Sequence, residues 1–184
     1  MSGDYTAFFY GTLMAPEVFF TVCYGDRNPP QAIKDMHTFT PAILEGYCRH
    51  RVQHADYPAV VAEEGHTVLG VYATGLTDAN MDKLDRFEGS EYVKETVKVK
   101  VLNKDGTAPA KEEFKEASVY VFNEPSYLEK GEWNFEEFRE QKMHEWTRGG
   151  LAFGECKLTE LMSAPDTDDT TVESTDQGTN GNSG

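Results

Sequence analysis

Residues Thr77 to Gly89 read TDANMDKLDRFEG. Thr77 or Asp78 is suited to cap a helix, and Gly89 to stop it. This single helix interrupts segments that otherwise read as strands. Upstream, residues 6–10 (TAFFY) form a short apolar strand, and Ala15 to Tyr24 a helix with Pro16 in its first turn. Arg27 to Pro30 is a loop. Ala42 to Gln53 reads as a strand bulged near Gly46, and Tyr57 to Ala62 and Val68 to Leu76 as two strands separated by the Glu64-Gly65 turn. Downstream, Tyr92 to Leu102 alternates, with Val97, Val99 and Val101 on one face and Lys98 and Lys100 on the other. Asn103 to Gly106 is a turn and Ala117 to Phe122 a strand. Asn134 caps a last helix running to Trp146, with Glu137 completing a capping-box pattern. Strand and helix do not alternate as in a doubly wound sheet. The order predicts an α+β domain: a small β-barrel or curled mixed sheet flanked by helices.

The central helix carries an anomaly. At about 100° per residue, with Met81 as origin, Leu84 falls about 60° to one side, Glu88 about 20° to the same side and Asp85 about 40° to the other. Lys83 and Arg86 point away, Asp82 lies on the flank, and Phe87 broadens the apolar stripe. The face that must meet the core therefore carries Glu88, with Asp85 at its margin. A carboxylate turned inward is costly unless paired or hydrogen-bonded. Burial also raises its pKa, which suits a general acid or base. The other reading is that Glu88, in the last turn, bends back to solvent or pairs with an arginine, and that Asp85 is a local hydrogen-bond acceptor.

Composition narrows the classes of function. The 184 residues hold 17 Lys and Arg against 32 Asp and Glu, a formal charge of −15. That balance argues against nucleic acid and against electrostatic attachment to an anionic membrane. Mean hydropathy is −0.58, and no apolar run approaches the roughly 18 residues of a spanning helix. The polar start, Met1 to Asp4, does not look like a secretory signal. Cys23, Cys48 and Cys156 are odd in number and widely spaced, so they read as reduced thiols of a cytoplasmic protein. The charge is uneven. Residues 163–184 hold five acids, Asp166, Asp168, Asp169, Glu173 and Asp176, with no Lys or Arg and one large aliphatic residue, Val172. This stretch reads as a disordered acidic tail, which leaves residues 1–162 as one domain.

Phe9-Tyr10-Gly11-Thr12-Leu13 is a strand followed at once by a glycine turn. Gly11 lets backbone amides approach a ligand, and successive N–H groups in such a turn can cradle a carboxylate or oxyanion. A plain turn is the alternative. Taken in order, Phe9-Tyr10-Gly11-Thr12-Leu13, Tyr57-Pro58-Ala59, Gly70-Val71-Tyr72, Leu84-Asp85-Arg86-Phe87-Glu88-Gly89, Tyr92 and Val119-Tyr120-Val121 resemble the γ-glutamylcyclotransferase-like superfamily, in its AIG2-like branch. The resemblance spans roughly residues 6 to 147. It implies a small barrel flanked by helices with a pocket at one mouth. It also implies a substrate loop at Tyr10, Gly11, Thr12 and Leu13, a general acid/base at Glu88, and pocket-lining hydroxyls at Tyr92 and Tyr120. The implied reaction closes a γ-glutamyl amide to 5-oxoproline and releases an amine or amino acid, without metal or cofactor. The alternative on the same fold is a non-catalytic module that binds a small carboxylate. The loop departs from the YGSN type of the better-defined cyclotransferases, which leaves the leaving amine open.

Other residues have plainer readings. His50 and His54 lie four apart, but their region reads as strand and loop, and the sequence shows no third ligand. Arg49 and Arg51 read as solvated strand-face residues, with attraction of a substrate carboxylate as the alternative. Cys48 lacks a His–Asn arrangement for a nucleophile. Trp133 and Trp146 most simply pack the last helix.

Overall fold

A computed structural model describes residues 3–53, 57–129, 133 and 135–141. The elements run β1 (Tyr5–Phe9), α1 (Pro16–Tyr24), α2 (Gln31–Lys34), β2 (Thr38–Val52), β3 (Pro58–Leu76), α3 (Asp78–Glu88), β4 (Tyr92–Val101), β5 (Glu113–Phe122), β6 (Leu128–Glu129) and α4 (Phe135–Gln141). Strands pair in the order β3-β1-β5-β4-β2-β6, and β2 also pairs with β3. Five strands thus close into a mixed barrel, with the predicted helices against it. The β1–β5 seam is parallel, and the other pairings are antiparallel.

Closure explains the unbroken apolar run of β1. Phe8 and Tyr10 pack with Leu44, Val60, Val99 and Val119 inside the barrel. Ala7 and Phe9 pack on the other side with Val18, Phe19, Met81 and Leu84 from the helices. A strand buried on both faces shows no polar alternation. The second cluster is rich in rings: Phe19 meets Phe9, Phe20, Phe39 and His37 at centroid distances of 5.1 to 5.9 Å, within the range of favourable aromatic pairs.

The central helix forms where expected. Thr77 is its cap: its Oγ accepts from the Asn80 amide at 3.2 Å, and Asn80 Oδ1 accepts from the Thr77 amide at 3.0 Å. Gly89 ends it at φ 76°. Lys83 is exposed on the side away from the apolar stripe, as expected, and its Nζ donates to the Cys23 carbonyl of α1 at 2.5 Å, where a cation meets the negative end of a helix. Burial pushes the Cys23 thiol up to about 12, so it is unreactive at neutral pH.

Other segments differ from expectation. The strands predicted at Tyr57–Ala62 and Val68–Leu76 are one strand, β3. The reason lies in its partner: β2 runs alongside both halves, pairing Tyr47 with Ala62 and Glu45 with Thr67. Gly46 therefore faces the four residues 63–66, and the excess is taken up in a bulge with Gly46 at φ 78° and Gly65 at φ 82°. β2 begins at Thr38 rather than Ala42, and α2 and β6 were not anticipated. The last helix spans Phe135–Gln141. Asn134, Trp146, Cys156, His54 and the acidic tail lie outside the described residues. Among those residues, no helix is long and apolar enough to cross a membrane.

Leu84 is fully buried where α3 meets the barrel. Leu84→Ala is expected to cost about 2–5 kcal/mol, and Asp82→Ala on the exposed flank to stay within about 0.5 kcal/mol. Urea unfolding of the two variants checks this.

Candidate functional site

Strand direction gathers the predicted residues at one mouth of the barrel. β1 and β5 run parallel, so their C-terminal ends lie on the same side. β3 and β4 run antiparallel to them and start there. The end of β1 therefore meets Tyr57 and Pro58 at the start of β3, Tyr92 at the start of β4 and Tyr120 near the end of β5. The last turn of α3 adds Phe87 and Glu88. Tyr10, Gly11, Thr12, Leu13, Glu88, Tyr92 and Tyr120 all line one cavity. The cavity is narrow, about 30 Å³, room for two or three waters at the ~10–15 Å³ each requires.

The loop is shaped by its own hydrogen bonds. Thr12–Met14 forms a single 3₁₀ turn, in which the Met14 amide donates to the Gly11 carbonyl at 3.0 Å and the Ala15 amide to that of Thr12 at 3.2 Å. The preceding amides, Gly11 to Leu13, have no carbonyl of that turn to bond. Gly11 is required for space rather than for backbone freedom: a Cβ there would lie 2.8 Å from Pro58 Cγ. Arg49 anchors the loop from behind. Its Nη1 donates to the Tyr10 carbonyl at 2.8 Å, and its guanidinium stands 5.5 Å from the Trp133 ring. This corrects the solvated reading of Arg49, which is half-buried. Its charge polarises the peptide unit whose N–H belongs to Gly11.

Four tyrosines line the cavity, Tyr57 among them, and three of their phenols brace its wall. Tyr10 Oη donates to the Tyr120 carbonyl at 2.5 Å, Tyr92 Oη to the Pro58 carbonyl at 3.1 Å, and Tyr120 Oη to Asp85 Oδ1 at 2.7 Å. All three rings are buried. Burial is the main cause holding each hydroxyl above its ordinary range, and the charge of Glu88 raises all three further; Asp85 also raises Tyr120. They are neutral donors at neutral pH. One carboxylate thus acts on three hydroxyls from the half-buried end of α3.

Asp85 has a different place. Its side chain is exposed and accepts both Lys94 Nζ, at 2.8 and 2.9 Å, and Tyr120 Oη. Lys94 and Tyr120 are directly opposed across β4 and β5, so one strand pair presents both donors to one acid. Partial burial pushes the Asp85 carboxyl up, but the bonds from Lys94 and Tyr120 and the charge of Lys94 outweigh it and leave it below its ordinary 3.8. Sequence reasoning assigned Asp85 as a hydrogen-bond acceptor but missed Lys94. The two-residue spacing from Tyr92 was the signal that could have placed Lys94 on that face.

The model of the family described as "Gamma-glutamyl cyclotransferase, AIG2-like" matches residues 7–135. Protein AIG2 C of Arabidopsis thaliana is 30% identical over 156 residues, covering 79% of this chain and 84% of that protein. AIG2-like protein B of the same plant is 31% identical over 136 residues, covering 70% and 74%. A solution structure of an Arabidopsis thaliana protein superposes with a TM-score of 0.52 at 25% identity, covering 96% of this chain and 99% of that one.

Two substitutions test the site's construction. Gly11→Ala is expected to cost about 1–3 kcal/mol by forcing Pro58 aside; an unchanged urea midpoint would show that Pro58 yields freely. Because the Asp85 carboxyl is lowered in the native state, its stabilising contribution is complete above 3.8 and fades as pH falls through the lower native value. Asp85→Asn should therefore destabilise the chain at neutral pH and do so less in strong acid, as read by thermal unfolding at the two conditions.

Proposed function

Since the chain belongs to the gamma-glutamyl cyclotransferase, AIG2-like family, we propose that it cyclises a γ-glutamyl amide to 5-oxoproline and releases an amine or amino acid. The observation that carries this reading is Glu88. It is a half-buried carboxylate that lines the same narrow cavity as the Gly11 to Leu13 loop and three neutral phenols.

The substrate's α-ammonium gives a proton to the Glu88 carboxylate. The freed amine attacks the γ-carbonyl carbon and forms the new C–N bond of a five-membered ring. Negative charge builds on the carbonyl oxygen, where the loop amides would receive it; preorganised donors of this kind lower the barrier most where solvent is excluded. The old C–N bond breaks as protonated Glu88 gives its proton to the leaving nitrogen; the ring nitrogen then sheds its one surplus proton through the vacated Glu88 carboxylate to the freed amine, which departs as its ammonium. The cavity must open beyond its present volume of two or three waters to admit a γ-glutamyl group. A γ-glutamyl group is flexible, and ring closure requires amine and carbonyl to be folded into contact. Tyr10, Tyr92 and Tyr120 cannot compete as bases, because each is held protonated. Their role is to wall the site and hold its neighbours: Tyr92 fixes Pro58, and Tyr120 links the wall to Asp85. The leaving group would lie at the mouth, and we place the reaction in the cytoplasm.

Incubation with a panel of γ-glutamyl amines, followed by quantitation of 5-oxoproline, tests the proposal. Glu88→Gln should lower turnover about 10²–10⁴-fold, the usual contribution of a positioned acid/base, with the fold intact. Wild-type turnover by Glu88→Gln would exclude this mechanism. A ligand-induced rise in Tm with no 5-oxoproline from any substrate would favour the binding module instead.

A further inference from the structure

On the face of β2 opposite Arg49, the chain gathers a second set of chemically active side chains. Cys48 and His50 are two residues apart on one strand and so share a face. In the ladder, Cys48 is paired with Val61 and His50 with Ala59. Glu63, two residues beyond Val61, is the diagonal neighbour of Cys48 on that same face. One ligand atom each from Cys48, His50 and Glu63 lies within 4.8 Å of the other two. His50 Nε2 is 3.2 Å from Glu63 Oε2, and His66 Nε2 is 3.2 Å from the other oxygen, Oε1. The bulge makes this possible. With Gly46 facing residues 63–66 and Gly65 at φ 82°, the chain doubles back and brings His66 onto the Glu63 carboxylate.

We propose that Cys48, His50 and Glu63 bind a divalent borderline metal ion, zinc in the first instance, with His66 holding the far oxygen of Glu63. The donor set of one sulfur, one imidazole nitrogen and one carboxylate oxygen is that of zinc, and thiolate and imidazole disfavour magnesium and calcium. On one tetrahedral zinc, bonds of about 2.0–2.3 Å put ligand atoms roughly 3.3–3.6 Å apart, so side-chain adjustments of about 1 Å complete the set. The fourth position is open to solvent. On binding, the Cys48 thiol releases its proton to water and ligates as thiolate. The ion would tie β2 to β3 across the bulge, on side chains that do not line the cavity beneath the tyrosines. The His50–His54 pairing considered from the sequence is thereby replaced. The partners of His50 are Cys48 on its own strand and Glu63 on the next, which strand periodicity and the bulge bring together, and His54 lies outside the described residues.

The test uses the full chain with cobalt(II) and zinc(II) as probes. Wild type should take up one equivalent of cobalt with a thiolate-to-cobalt absorption band, and zinc should displace it. Cys48→Ser should abolish the band. His50→Gln should weaken zinc binding about tenfold or more, and His66→Gln about tenfold, as for loss of an outer partner. Zinc should raise Tm in wild type and raise it less in His50→Gln at the same zinc concentration. Absence of a band in wild type, a band retained in Cys48→Ser, or unchanged zinc affinity in His50→Gln would each overturn the proposal. The wild-type band does not depend on any variant folding.

Discussion

The burial of one face of α3 governs the rest of the structure. Met81 and Leu84 are drawn into the cluster shared by β1 and α1, and the Thr77 cap and the Gly89 stop fix where the helix begins and ends. Once those two apolar residues are seated, the 3.6-residue period leaves no choice about Glu88. It arrives one turn later on the same side, at the barrel mouth. The inward carboxylate is the consequence of packing the helix in that register.

The surroundings then divide the labour between two acids only three residues apart. Asp85 is met by a cation and a phenol and is held ionised, with its pKa lowered. Glu88 is met by aromatic walls and helps raise the pKa of Tyr10, Tyr92 and Tyr120. One acid fastens the wall, and the other faces the cavity. Behind the loop, Arg49 supplies the positive charge that the cavity's own lining lacks, and it does so through the Tyr10 peptide unit rather than by entering the cavity.

Much of this was legible in the sequence because it rests on local rules. The helix over Asp78–Glu88, its cap, its stop and the inward Glu88 follow from periodicity and capping alone. The loop residues Tyr10 to Leu13 and the tyrosines at 92 and 120 came from motif resemblance, and they line one cavity. What stayed hidden depended on contacts between residues far apart in the chain. The continuity of β3 was invisible because Glu64-Gly65 carries every local mark of a turn, and only the neighbouring strand β2 converts it into a bulge. Arg49 looked solvated because alternation cannot tell a residue facing water from one facing another loop. The wheel placed Lys83 away from the core correctly but could not show its bond to the Cys23 carbonyl, because that partner lies on α1. The cluster of Cys48, His50, Glu63 and His66 draws on two strands and a bulge, none of which reads as a metal motif along the chain.

The central claim is that Glu88 and the Gly11 to Leu13 amides form one site for a γ-glutamyl group. A crystal structure of the chain with 5-oxoproline tests it most directly. The account predicts the product in the barrel mouth, its ring carbonyl or carboxylate on the loop amides, and a Glu88 carboxylate oxygen within hydrogen-bond distance of the ring. Product bound elsewhere, or Glu88 turned to solvent with the mouth filled only by water at saturating product, would contradict it.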